Sequence, residues 1–128
     1  MKNFLIAFIV FLGIDMIWLG FIGKNIYQQY LGYLMTNKVN WLAAFIFYIL
    51  FIIGLLIFVI NPAIAEKSLY KAIIYGALYG LVTYATYDLT NLATIKNWPL
   101  LITIIDLLWG TFLSTLVSII TFLIVKKM

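Results

Sequence analysis

Apolar residues in this chain fill whole stretches rather than alternating or marking one helix face. Four stretches stand out, at 4–22, 41–60, 69–89 and 99–125. A spanning helix needs about 20 mainly apolar residues, because each adds about 1.5 Å across a hydrocarbon core about 30 Å thick. The pattern predicts an all-α protein, a four-helix transmembrane bundle with one integral membrane domain over 1–128. Lys2 ahead of the first stretch imitates the start of a signal peptide. That stretch is too long for one, contains Asp15 and lacks a small-x-small cleavage site, so it reads as a span.

Polar punctuation between the stretches is short. Ile26, Tyr27, Tyr30, Leu31 and Leu34 share one helix face within 23–40, which predicts a short amphipathic helix lying in the interface. Asn61-Pro62 is expected to end the second span, since proline lacks the donor that a continuing helix uses. Ser68 is a natural N-cap for the third span, and Pro99 suits the first turn of the fourth. Gly76 and Gly80 form a G-x-x-x-G pattern, common by chance in apolar helices, that permits close helix contact. Trp41, Trp98 and Tyr70 read as interfacial anchors.

Composition agrees. Only 9% of residues are charged against 66% apolar. Water-soluble domains carry about 25% charged residues, so this chain cannot cover itself in water. All eight basic residues are lysines. Lys2, Lys67, Lys71, Lys126 and Lys127 fall on one side of the expected bundle, with Lys24, Lys38 and Lys96 on the other. The excess places both termini in the cytoplasm. The lysines form no cluster with interleaved aromatics, which argues against nucleic acid as a partner. With neither cysteine nor histidine, the chain has no disulfide framework, thiolate zinc site, Cys–His nucleophile or His-ligated haem.

The acidic residues carry the chemistry. Glu66 sits in a short loop beside Lys67, but Asp15, Asp88 and Asp106 fall inside spans. Each should cost about 2.5–3.5 kcal/mol to insert at mid-bilayer, so an intramembrane carboxylate marks a functional site by default. In the expected topology all three lie in the outer half of the membrane, and helices one, three and four can aim them at one place. No lysine lies within a span to neutralise them, so they share protons, hold a cation or admit water.

Neighbouring positions fit a polar pocket. Tyr84 and Asn91 fall near the face of Asp88, and Thr103 and Gly110 near that of Asp106. Trp18 and Trp109 each follow an aspartate by three residues, which lets each indole N–H donate to a carboxylate. Oxygen-only ligands at Asp15, Asp88 and Asp106 suit a hard divalent cation.

Several residues together resemble a family of small bacterial four-helix membrane proteins catalogued as a domain of unknown function. These are the run Tyr84-Ala85-Thr86-Tyr87-Asp88-Leu89-Thr90-Asn91-Leu92-Ala93, then Trp98-Pro99, and Asp106-x-x-Trp109-Gly110. Asp15-x-x-Trp18-Leu19-Gly20, Phe47-Tyr48 and Phe58-Val59-x-x-Pro62 contribute further. The resemblance covers nearly the whole chain without a departure at any motif position. It implies a four-span protein of the bacterial inner membrane, with Asp15, Asp88, Asn91, Trp109 and Gly110 at signature positions. It carries over no activity or cofactor.

Three functions follow as expectations. The first is a protein whose aspartates bind or move a proton or hard metal cation, working as a homo-oligomer because four spans are few for a transporter. The second is an enzyme using aspartate acid–base chemistry on a lipid or isoprenoid. The third is a structural subunit of a membrane complex, with aspartates serving as interhelical glue at about 0.6–2 kcal/mol each. Membrane lipid is a partner in each case.

Overall fold

The computed structural model describes residues 1–35 and 38–128. Thr36 and Asn37, within the connection expected at 23–40, lie outside the described residues. Regular secondary structure among the described residues is entirely helical. The elements are α1 (Lys2–Ile17), a π-helical turn (Trp18–Ile22), α2 (Gly23–Leu31), α3 (Trp41–Leu55), a second π-helical turn (Leu56–Ile60), α4 (Asn61–Ala65), α5 (Leu69–Thr94) and α6 (Leu100–Lys126). The π-helical turns join their neighbours without a break, leaving four rods. Three of them, Lys2–Leu31, Trp41–Ala65 and Leu100–Lys126, are long and apolar enough to cross a membrane. The fourth, α5, has 26 residues and measures about 39 Å at 1.5 Å per residue. It falls short in apolarity because its sequence carries tyrosines, threonines and Asp88.

Local chemistry sets the rod ends. Asn40 accepts from the Ala43 N–H at 3.1 Å and starts α3. Ser68 accepts from the Lys71 N–H at 3.1 Å and starts α5, as expected of an N-cap. Pro99 stands just before α6, with its ψ of 126° still extended. Lys71 pairs with Glu66 at the α4–α5 corner.

Pro62 does not end the second rod. The chain stays helical to Ala65, because the π-helical turn at Leu56–Ile60 comes first. There the Asn61 N–H reaches back to the Leu56 carbonyl, one residue further than in an α-helix. The wider turn makes room for the ring that would otherwise strike a carbonyl. Likewise, the expected interfacial helix is shorter than 23–40 and continues directly from α1. The Gly23 N–H reaches the Trp18 carbonyl, so the extra residue re-aims everything after it.

Adjacent rods run in opposite directions. Asn3 Nδ2 donates to Asn61 Oδ1 at 3.2 Å at one end, and the Tyr33 hydroxyl donates to the Asn97 carbonyl at 2.6 Å at the other. Asn97 takes φ of 64°, a left-handed conformation that asparagine tolerates better than most residues.

One helix pair organises the centre. Along α5, Ala72, Gly76, Gly80, Tyr84 and Asp88 recur every fourth residue; along α6 so do Asp106, Gly110, Ser114, Ser118 and Phe122. The two rows meet in antiparallel register. Ala72 packs near Phe122, Gly76 lies on Ser118, Gly80 on Ser114 and Gly110, and Tyr84 on Gly110. A Cβ added at Gly76 would stand 2.8 Å from Ser118 Oγ, and one at Gly80 would stand 2.7 Å from Ser114 Oγ. The G-x-x-x-G pair therefore marks the closest approach of α5 and α6. The same register carries Asp88 to Asp106.

Around this seam α1 and the second rod add an apolar core that includes Phe11, Phe51, Ile52, Leu55, Leu113 and Val117. Outward positions are also apolar: Phe45, Leu50, Phe58, Leu78, Leu108 and Phe112 are each at least half exposed. The three aspartates are buried instead. Greasy outside and carboxylates inside is the distribution a lipid solvent imposes.

Candidate functional site

Asp15 (on α1), Asp88 (on α5) and Asp106 (on α6) converge near the α2 end of the bundle, but not as one cluster. Asp88 is fully buried, and neither of its carboxylate oxygens has a hydrogen-bond donor among the described residues. Its carboxyl faces that of Asp106. Two such groups are acceptors only when ionised, so side by side they need a proton or a cation between them. Asp15 stands apart and meets the side chains of Trp109 and Tyr48. No group of three aspartate, glutamate, histidine or cysteine side chains suited to a metal ion occurs among the described residues. The α5–α6 register pairs two of the aspartates, and the third lines the cavity beside them.

That cavity, about 670 Å³, lies between the first two rods, α5 and α6. Asp15 and Asp106 line it, with Trp18, Tyr84 and Trp109. Tyr27, Phe47, Tyr48 and Tyr87 add to an aromatic wall, and no lysine is among its described lining residues. Tyr84 sits within electrostatic reach of all three aspartates and of Tyr48. Asp88 lies behind Asp106, outside the lining.

The two Asp-x-x-Trp units exchange partners. The Trp18 and Trp109 rings stack with centroids 4.4 Å apart and planes 12° from parallel. Trp109 then faces Asp15 rather than Asp106, and Trp18 Nε1 donates to the Tyr27 hydroxyl at 3.2 Å. Tyr27 in turn donates to Asp106. The expected donation of an indole to a carboxylate is thus met by Trp109, on Asp15 of the other unit, whereas Trp18 donates to Tyr27 instead. Stacking of two large rings across antiparallel helices sets their rotamers, and is worth about 0.5–1.5 kcal/mol beyond burial.

The remaining candidates divide. Gly110 provides the space expected of it, and the group that enters is the Tyr84 ring. Thr103 is buried but accepts from Trp98 Nε1 at 3.1 Å, away from the cavity. Trp98, expected as an exposed anchor, is accordingly only 8% exposed, with the Tyr87 ring against its edge. Trp41 and Tyr70 remain exposed. Asn91 meets Tyr87 and does not line the cavity.

Sequence reasoning missed Tyr27, Tyr48 and Gly23 as site residues. Tyr27 was legible as part of an apolar face, but only the π-helical turn swings it onto Asp106. Gly23 permits this: a Cβ there would lie 2.7 Å from Trp18 Nε1 and 3.0 Å from the Tyr27 ring. Tyr27→Phe deletes a hydrogen bond to a carboxylate, worth about 1.5–3 kcal/mol. Thermal unfolding in detergent is expected to shift down accordingly, and Gly23→Ala to shift in the same direction. Wild-type melting in both variants would mean that α2 does not hold the site.

Fold and site together define a class: a small helical membrane protein with carboxyl groups buried among its helices. Residues 1–123 match the family described as predicted membrane protein (DUF2177), and the chain belongs to that family. No curated protein and no solved structure matches it.

Proposed function

We propose that this protein binds a proton at the Asp88–Asp106 pair and moves it along the α5–α6 seam. The observation that carries the reading is Asp88: a fully buried carboxyl, without a donor, set against a second carboxyl. A shared proton satisfies both groups at once. Beyond the pair, Ser114, Ser118 and Thr121 continue along the same region of α6. Their hydroxyls are fully buried without partners among the described residues. A hydroxyl both donates and accepts, so the row offers steps for a proton toward the opposite end. In this reading α5 is a fourth span, the protein sits in a bacterial inner membrane, and both termini are cytoplasmic, in keeping with the lysine bias.

Infrared spectroscopy of the reconstituted protein tests the pair. A protonated-carboxyl C=O band is expected that titrates with pH and disappears in Asp88→Asn. A spectrum without that band at any pH, or one unaltered by the substitution, would sink the reading. A second reading, acid–base chemistry on a lipid or isoprenoid, draws on the aromatic cavity directly above a carboxyl pair. A copurifying lipid found by native mass spectrometry and lost in Asp106→Asn would favour it.

A further inference from the structure

We propose that the cavity above the carboxyl pair is a binding site for an organic cation: an ammonium or phosphonium group carrying apolar substituents. The proposal deepens the proton reading and rests on it, since both put positive charge beside Asp106.

Three features of the cavity converge on that chemistry. Its volume of about 670 Å³ lies within the range of about 300–1,000 Å³ typical of small-molecule sites. Its wall is aromatic, with Trp18, Tyr27, Phe47, Tyr48, Tyr84 and Trp109 among the lining residues, and aromatic rings attract a cation through their negative quadrupole. Asp15 and Asp106 bring carboxyl groups from two different helices, with no cationic side chain among the described lining residues beside them. A bare metal ion would find too few carboxylates together here. An anion would meet two carboxyl groups and no cationic side chain among the described lining residues. A neutral apolar ligand would leave Asp15, whenever it is ionised, without countercharge in a low-dielectric site. A bulky organic cation satisfies the wall and the carboxylates together.

Access is available. Leu19, Met35, Phe47 and Tyr87 line the cavity and are each more than a third exposed, so it opens to the surface of the bundle. The Trp18–Trp109 stack lies in the wall, so occupancy can be read from tryptophan fluorescence.

The test uses the full chain in non-ionic detergent, with empty micelles subtracted. Tetraphenylphosphonium is titrated against tetraphenylborate, an anion of the same shape. The cation is expected to quench tryptophan fluorescence saturably and to bind at least about tenfold more tightly than the borate, the scale of one desolvated charge contact. Asp15→Asn is expected to weaken the cation about tenfold and the borate not at all. Equal affinity of cation and anion for the wild-type protein overturns the proposal, even if the variant fails to fold. An unchanged cation affinity in a folded Asp15→Asn protein also overturns it. Adding phosphatidylcholine to the micelles distinguishes sources: competition with the phosphonium identifies a lipid headgroup ammonium as the occupant, and indifference identifies a free organic cation. Either result supports the site. The infrared carboxyl band of the wild-type protein is read separately, so failure of the proton reading and failure of the cation site produce different signatures.

Discussion

Gly80→Leu is expected to separate α5 from α6 and to cost at least about 1–3 kcal/mol, the usual penalty for forcing extra methylenes into a packed contact. Any side chain at position 80 runs into the Gly110 backbone and into Ser114 Oγ. Neither can yield: one is main chain, and the other belongs to a fully buried residue. Gly13→Leu is the control, because a Cβ there meets nothing within 4 Å. Thermal or denaturant unfolding in detergent should show a large loss for position 80 and little for position 13. Equal behaviour of the two variants would mean that the seam is looser than its geometry. The consequence reaches the site, since the register that seats Gly80 on Gly110 also sets Asp88 opposite Asp106.

Asp106→Asn should produce the opposite combination, a folded protein that has lost its function. An amide nearly matches the carboxylate in size and can donate to Asp88, which replaces the proposed shared proton with an ordinary hydrogen bond. Tyr27 keeps an acceptor in the amide oxygen. Melting is therefore expected to stay close to wild type, within about 1 kcal/mol, the net worth of one typical hydrogen bond. Proton uptake by the pair should vanish, and the affinity for an organic cation should fall about tenfold or more. Uptake measured with a pH indicator on a lightly buffered sample checks the first expectation. Retained uptake would move the proton to another group. Asp106→Leu provides the contrast: with no polar atom at that position, Tyr27 and Asp88 both lose their partner and stability should fall further.

Much of this protein was legible without its fold. Long uninterrupted apolar stretches mark membrane helices in a chain so poor in charge, and three of the four rods are long and apolar enough to cross. Aspartates within such stretches are costly enough to announce a site. Other features were out of reach for definite reasons. Pro62 reads as a stop in sequence, yet the chain stays helical to Ala65 after a π-helical turn. Such turns leave little trace in apolar sequence, since the same residues fit either hydrogen-bond pattern. Thr103 and Asn91 were assigned to the pocket from angular position on one helix. A 100° step tells which way a residue faces, but not which neighbour occupies that direction. Trp98 claimed Thr103, and Tyr87 claimed Asn91.

The sequence by itself determined the solvent of this protein, its helical class and the three buried carboxyls, because each follows from the cost of placing a side chain in hydrocarbon, a property of single residues. Tertiary structure alone decided which carboxyls meet. The pairing of Asp88 with Asp106, the exchange of Trp18 and Trp109 between two Asp-x-x-Trp units, and the entry of Tyr27 all depend on inter-rod register. That register is set by where small residues let two helices touch and where a π-helical turn shifts a face by one residue. These are relations between segments distant in the chain, and hydropathy measured along it does not contain them.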